Sequence, residues 1–391
     1  MKITDVKATN LRFSRTPETL KKNLCTPTSK FRDPLSAGQN WFGPVALTVV
    51  EVFTDEGITG VGTAGGFTSV PAEVVDTYLR PIILGESPFN TELMQDKMFR
   101  STVRFGRRGV VMAAISAVDL ACWDIMGKAL GQPVYNLLGG RTKERVRAYA
   151  SRCYAMDDLD ALAEEARGYV AQGFTALKQR FGFSPEDGIA GMKRNVELIR
   201  TVREAVGEGI ELAADAYMGW DFAYAMEMER RLRPYNLSWI EEPFMPDDLD
   251  SYTRFTAISP TRVSMGEHET SLYGYKHLID SKVAHILQPD CNRVGGITAM
   301  KKICALAEAA HIPIFPHSNE AHNLHIIVSQ SNCPLIEYFP DVEPDTGNEL
   351  FWKVFDGEPV AENGYITPTG KPGLGIELNR DRMAALIYNH V

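Results

Sequence analysis

Cysteine is scarce and scattered. The six residues Cys25, Cys122, Cys153, Cys291, Cys304 and Cys333 form no C-x-x-C pair, so neither a disulfide framework nor a zinc site is indicated. Basic runs are missing too, and a net charge of -9 argues against a nucleic-acid surface. The N-terminus, MKITDVKATNLRF, alternates polar and apolar residues and lacks a signal-peptide core. Apolar runs are interrupted: even VVMAAISAVDLACWDIM contains Asp119 and Asp124, which speaks against a membrane span. A composition 44% hydrophobic and 23% charged is that of a globular protein. Cytoplasmic small-molecule chemistry is the plain expectation, and 391 residues leave room for two or three domains.

Acidic residues recur at an even interval in the middle of the chain. Asp215, Glu241 and Glu267 are spaced 26 positions apart, and each closes a short apolar run. That interval fits one strand, one helix and two loops. One acidic residue at a strand end is usually a helix cap or a solvated charge. Three in succession point to more. In an α/β barrel the C-terminal strand ends face the active site, and three carboxylates converging there suit a hard cation, Mg²⁺.

The rest of the chain fits such a barrel. Residues 2–9 and 45–54 alternate like strands, and helical patterns follow at 71–84, 88–99 and 108–130, an α+β order. Between the first two strands lies a polar loop, 13–44, whose Lys30, Arg32 and Trp41 suggest a substrate lid. From Val146 the pattern becomes alternation, with strands expected near 146, 175, 210, 237, 263, 284, 313 and 335. Eight strands are the count for a (β/α)₈ barrel. The seventh and eighth units look short, so a modified barrel is allowed. The expected division is an α+β capping domain over 1–140, a barrel over 141–339, and a segment over 340–391 that returns to the capping domain.

Each strand end then has a reading. Lys178 and Arg180, two apart on a strand, share a face and suit a substrate carboxylate or a moving proton. Tyr217 would share the face of Asp215 if that strand persists. Glu267 is followed directly by His268. Asp290 and His317 fall on neighbouring strand ends, the arrangement of an orienting carboxylate and a general base. Glu337 closes the eighth strand. His322 and His325 fall on the next helix and read as structural.

Together these stretches resemble a known family. GITGVG, AISAVDLACWDIMGKALGQPVYNLLGG, WIEEP, GEH, QPD, GGIT and KPGLGIELN, in this order, are similar to the mandelate racemase subgroup of the enolase superfamily. The resemblance implies Mg²⁺ held by Asp215, Glu241 and Glu267, and removal of the proton α to a substrate carboxylate. It also implies a homo-oligomer with no nucleic-acid or membrane partner. TPTSKFRD, FSPEDGIAGMKRN and GEH further resemble the L-rhamnonate dehydratases. From them come the roles of His317 with Asp290 as base, His268 as a proton donor from the other side, and Glu337 as a stabiliser. Their product is a 2-keto-3-deoxy sugar acid. The family's first-loop His is missing, since no His precedes His268; Arg32 or Lys30 is the expected replacement, and L-lyxonate is an alternative substrate. An epimerase using His317 with Lys178 or Arg180 is the other enzymatic reading, although Arg is a poor base. A non-catalytic member of the fold is the third.

Overall fold

The computed structural model describes residues 1–13, 24–31, 45–65, 68–340 and 351–387. The chain begins with an antiparallel sheet of β1 (Ile3–Phe13), β2 (Val45–Thr54) and β3 (Thr59–Ala64), in that order. Helix Val110–Leu130 lies across β3 at very close range. A Cβ on Gly60 or Gly62 would stand 2.0 Å from the carbonyl oxygen of Ala121 or Ala117, so only glycine permits this approach. The helix is long and apolar enough to cross a membrane by length and composition, yet 94% of its apolar window is buried in the fold. Its two acids, expected to interrupt it, are internal instead. Asp119 accepts from Thr298 N at 3.0 Å, and Asp124 accepts from Val61 N at 3.0 Å and Leu374 N at 2.9 Å. They fasten the helix to the barrel, to β3 and to the C-terminal segment.

The second body is a ring of parallel strands: β4 (Val146–Ser151), β5 (Ala176–Arg180), β6 (Glu211–Asp215), β7 (Trp239–Glu241), β8 (Arg262–Met265), β9 (Ile286–Leu287) and β10 (Leu335–Tyr338). β10 pairs with β4 and closes the ring. The seventh strand is reduced to one bridge, Leu287 to Ile314, in keeping with a modified barrel. Intervening helices are capped by side chains: Asp158, Asp221, Asp248 and Ser271 each accept a backbone N–H of the first turn, satisfying a donor the helix cannot.

Strand alternation divides the barrel in two. Ala148, Leu177, Leu212, Ile240, Val263, Leu287, Ile314 and Ile336 pack outward in the main core. Tyr149, Ala176, Ala213, Trp239, Ile286, Phe315 and Leu335 form a separate buried cluster, the plug of the barrel interior. Within it Trp239 meets Tyr149 and Phe315 edge-on, each at 5.4 Å. Two residues further along, the same inward face carries Lys178, Asp215, Glu241 and Glu337.

The C-terminal segment does two things. Its hairpin, Ala361–Glu362 with Tyr365–Ile366, adds antiparallel to β4. Its end returns to the capping sheet, where Leu386 O accepts from Arg12 N at 2.8 Å.

Candidate active site at the barrel mouth

β6 and β7 run in register so that Asp215 stands beside Glu241. Glu267 follows one strand over, after Gly266 turns the chain at φ +128°, a conformation that favours glycine. Strain gathers at this end. Of nine non-glycine residues with positive φ among those described, Cys153, Tyr217, Met218, Glu242 and Ser318 sit just past barrel strands, where strain marks functional sites. Tyr217 departs from its expectation: β6 ends at Asp215, and the Tyr217 backbone turns at φ +43° to donate its N–H to Asp215 Oδ1 at 2.8 Å. Its ring meets His268 edge-on at 5.7 Å.

On the β5 side two cations meet three carboxylates. Lys178, with no exposed side-chain surface, contacts Glu241, stands 2.7 Å from Glu337 Oε1 and 3.9 Å from Asp215 Oδ2. Arg180 pairs with Asp215, donates to Ser151 Oγ at 3.0 Å and lies 3.8 Å from Glu337. The shared face expected for Lys178 and Arg180 is therefore present. Burial alone would lower the Lys178 pKa, but Glu241 and Glu337 outweigh it and raise it well above the usual lysine value. Lys178 is thus a cation held between carboxylates. Glu337 also accepts from Ser318 N at 2.8 Å; burial opposes its charge, yet Lys178, His317 and Arg180 hold it well below the ordinary carboxylate range.

On the other side imidazoles replace lysine. His317 Nδ1 stands 2.8 Å from Asp290 Oδ2, and its Nε2 lies 3.7 Å from Glu267 Oε2. His268 Nδ1 stands 2.7 Å from Glu242 Oε2, with its Nε2 3.6 Å from Glu267 Oε1. Glu267 is therefore flanked by two imidazoles, each carrying a carboxylate behind it. Burial disfavours the His317 imidazolium, but Glu267 and the Asp290 bond prevail and raise its pKa to about 9. Arg293 joins the group, donating to Glu267 O at 2.8 Å and lying 3.7 Å from both Glu267 Oε1 and Asp290 Oδ2.

Glu242, Arg293 and Gln288 were not singled out in the sequence. Gln288 donates to Glu241 Oε2 at 2.6 Å. Glu242 is the second acid of WIEEP and Arg293 lies three residues past Asp290, so strand-end position alone marks both. Lys30 is exposed, its ammonium 4.9 Å from the Phe31 ring centroid. The segment around it sits at the mouth, where Cys25 N donates to Phe181 O at 2.8 Å. Arg32 and Trp41 lie outside the described residues.

The donor set fits a hard divalent cation. Asp215, Glu241, Glu242, Glu267, Asp290 and Glu337 are all buried, against the buried cations Lys178 and Arg180 and the partly buried Arg293. Burial pushes the Glu241 carboxyl up to about 7 although Lys178 pulls it down. Oxygen donors without sulfur suit Mg²⁺. Ligand atoms of Glu242, Glu267 and His268 lie within 4.8 Å of one another.

Two family models cover this architecture: a mandelate racemase / muconate lactonizing enzyme N-terminal domain over 23–139, and an enolase C-terminal domain-like model over 161–382. This chain belongs to the mandelate racemase / muconate lactonizing enzyme family of the enolase superfamily. Among family members, a Caldivirga maquilingensis protein named as a candidate L-rhamnonate dehydratase is 38% identical, over 92% of this chain and 88% of its own. Rhamnonate dehydratase from Gibberella zeae, solved in complex with Mg, superposes with a TM-score of 0.89 at 31% identity, covering 99% of this chain and 96% of that one. The 3,6-anhydro-D-galactonate cycloisomerase from Zobellia galactanivorans also matches, with a TM-score of 0.84 and 28% identity over the full length of both chains. Family membership therefore fixes the architecture and leaves the reaction to the site.

Proposed function

We propose that this enzyme is a Mg²⁺-dependent hydro-lyase that dehydrates a sugar acid, an aldonate such as L-rhamnonate or L-lyxonate, to a 2-keto-3-deoxy acid. The observation that carries this reading is the Asp290–His317 pair at 2.8 Å with the free ring nitrogen directed toward Glu267. Asp290 accepts from Nδ1 and leaves Nε2 basic. Nε2 removes the proton from C2, the electron pair expels the C3 hydroxyl, and His317 returns the proton to that hydroxyl, which departs as water. The resulting enol tautomerises to the 2-ketone as C3 gains a proton, and His268 is placed to supply it.

Asp215, Glu241 and Glu267 would hold the metal. When bound, it supplies positive charge to the substrate carboxylate as the α-carbon loses its proton. Lys178 and Arg180 add fixed positive charge on the opposite side. Glu337, kept anionic by Lys178, orients that lysine and the Ser318 N–H. Support for the substrate class comes from the relatives named for rhamnonate dehydration.

A second reading has its own observation. The Glu242–His268 pair on the other side of Glu267 provides a second base, as an epimerase requires. It replaces the two-base scheme with Lys178, which is clamped between carboxylates. The deciding experiment is a screen of four- to six-carbon aldonates with Mg²⁺, reading 2-keto acid as semicarbazone absorbance. Ketone formation lost with EDTA supports the dehydratase. Solvent deuterium at C2 of recovered substrate without ketone overturns it in favour of epimerisation.

A further inference from the structure

Behind the Asp290–His317 pair lies a second group of titratable side chains that the reaction above does not use. Asp290, Glu320, His322 and Glu358 are all at least nine-tenths buried. Asp290 spends Oδ2 on His317; its Oδ1 faces the other way, accepting from Asn323 Nδ2 at 3.1 Å and Asn292 N at 3.2 Å. His322 Nε2 is poised between two carboxylates, 3.8 Å from Asp290 Oδ1 and 3.9 Å from Glu320 Oε2, and has no hydrogen-bond partner at those distances. A buried ring nitrogen left so is costly unless a small rotation brings it to one of them.

The surroundings restrict what this group does. Ligand atoms of Asp290, Glu320 and His322 lie within 4.8 Å of one another, which allows a metal by distance. Asn323 fills the middle of this group: its amide donates to Asp290 Oδ1 at 3.1 Å and to Glu320 Oε2 at 3.4 Å. Asn323 also donates to His317 O at 2.8 Å, so one amide fixes both members of the catalytic pair. The far wall comes from the C-terminal segment. Phe351 meets the His322 ring edge-on at 6.2 Å, and Glu358 Oε2 accepts from Ala321 N at 2.9 Å. Burial, with Glu320 nearby, pushes Glu358 up to about 8, so it stands as a neutral acid at pH 7. Burial opposes charge on His322, but Asp290 and Glu320 raise its pKa above the usual value.

We propose that His322 is a positioning residue for the Asp290–His317 pair: lying beside the face of Asp290 turned away from His317, its ring keeps this carboxylate aimed at His317 Nδ1. Glu320 keeps the ring in reach and Glu358 closes the pocket from the C-terminal segment. The inference rests on the assignment of His317 as the base. Its reach is the second oxygen of Asp290, beyond the residues that touch substrate.

The test uses the full chain in two arms. In the first, free of substrate and metal, the His317 Nδ1 proton is observed by ¹H–¹⁵N NMR and assigned by its loss in His317→Asn. His322→Phe is expected to shift or broaden that resonance, whereas His322→Gln, whose amide can still donate, restores it. A resonance unchanged in His322→Phe overturns the inference, whatever the substrate proves to be. In the second arm, with Mg²⁺ and the aldonate that wild type converts, His322→Phe is expected to lower kcat about 10- to 100-fold at constant KM, with recovery in His322→Gln. Equal kcat in wild type and His322→Phe also overturns it. A wild type inactive on every aldonate defeats the dehydratase reading alone, leaving the NMR arm to decide this one. Should His322→Phe fail to fold, His322→Asn, too short to reach Asp290, replaces it in both arms with the same expectations.

Discussion

Two histidines eight positions apart, one with 15% of its side chain exposed and the other buried, have opposite fates. His317 faces Asp290 and Glu267, and its pKa rises to about 9 against the effect of burial. His325 stacks on Tyr135, accepts from Tyr135 N at 3.2 Å and meets Leu374 O at 3.1 Å; burial lowers its pKa to about 4. Both sides of the His325 ring are occupied by backbone, which fixes a neutral tautomer with its proton on Nε2. Removal from water opposes charge on both rings and prevails only at His325. What differs is the partner: carboxylates make a titrating group, a peptide N–H and a carbonyl make a structural one.

Removing each kind of residue should break the comparison unequally. His317→Asn is expected to lower dehydration by about 10²–10⁴-fold while calorimetric Mg²⁺ affinity survives; wild-type turnover would dismiss it as the base. Lys178→Met extends the test to the fixed cation, because it leaves Glu241 and Glu337 buried without their counterion. Denaturant unfolding should register a loss of about 3–5 kcal/mol, and a loss under about 1 kcal/mol would show that the pair is solvated after all.

The pH dependence sharpens the contrast by its sign. For His325, folding lowers the pKa, so its contribution is present above about 6.5 and is lost as pH falls toward about 4. For His317 in metal-free protein, folding raises the pKa, so its contribution is full below about 6.5 and disappears as pH rises through about 9. Each shift corresponds to about 3 kcal/mol. NMR titration of the metal-free protein at pH 6 should find His317 cationic and His325 neutral; the same charge on both would undo the distinction. The smallest effect is expected from Glu241→Gln, which should weaken Mg²⁺ by at least about tenfold in calorimetry. Unchanged affinity would take Glu241 off the ligand set.

The strand ends were readable because a barrel turns interval into position. Asp215, Glu241, Asp290 and Glu337 each follow a short apolar run, and Lys178 with Arg180 obeys strand alternation. Depth was not readable. His322 and His325 lie on one helix with like neighbours, and only the packing shows that one adjoins Asp290 and the other Leu374. Glu358 escaped notice because nothing local links a Gly/Pro-rich segment to a pocket behind the seventh strand. Tyr217 would share the face of Asp215 only while the strand lasts, and β6 stops two residues earlier. The acids of the long helix showed only as breaks in an apolar run, because the peptide donors that meet them come from distant segments.

The joining of Leu11 to Ile387, with Leu386 O on Arg12 N, has a consequence for folding. The other end of β1 is met by a segment much nearer in sequence, where Ile3 N donates to Glu86 O at 2.9 Å. At Leu11 and Arg12 the edge waits for a contact of very large sequence separation, which a folding chain makes slowly. Until it forms, those peptide groups are an open template for foreign strands.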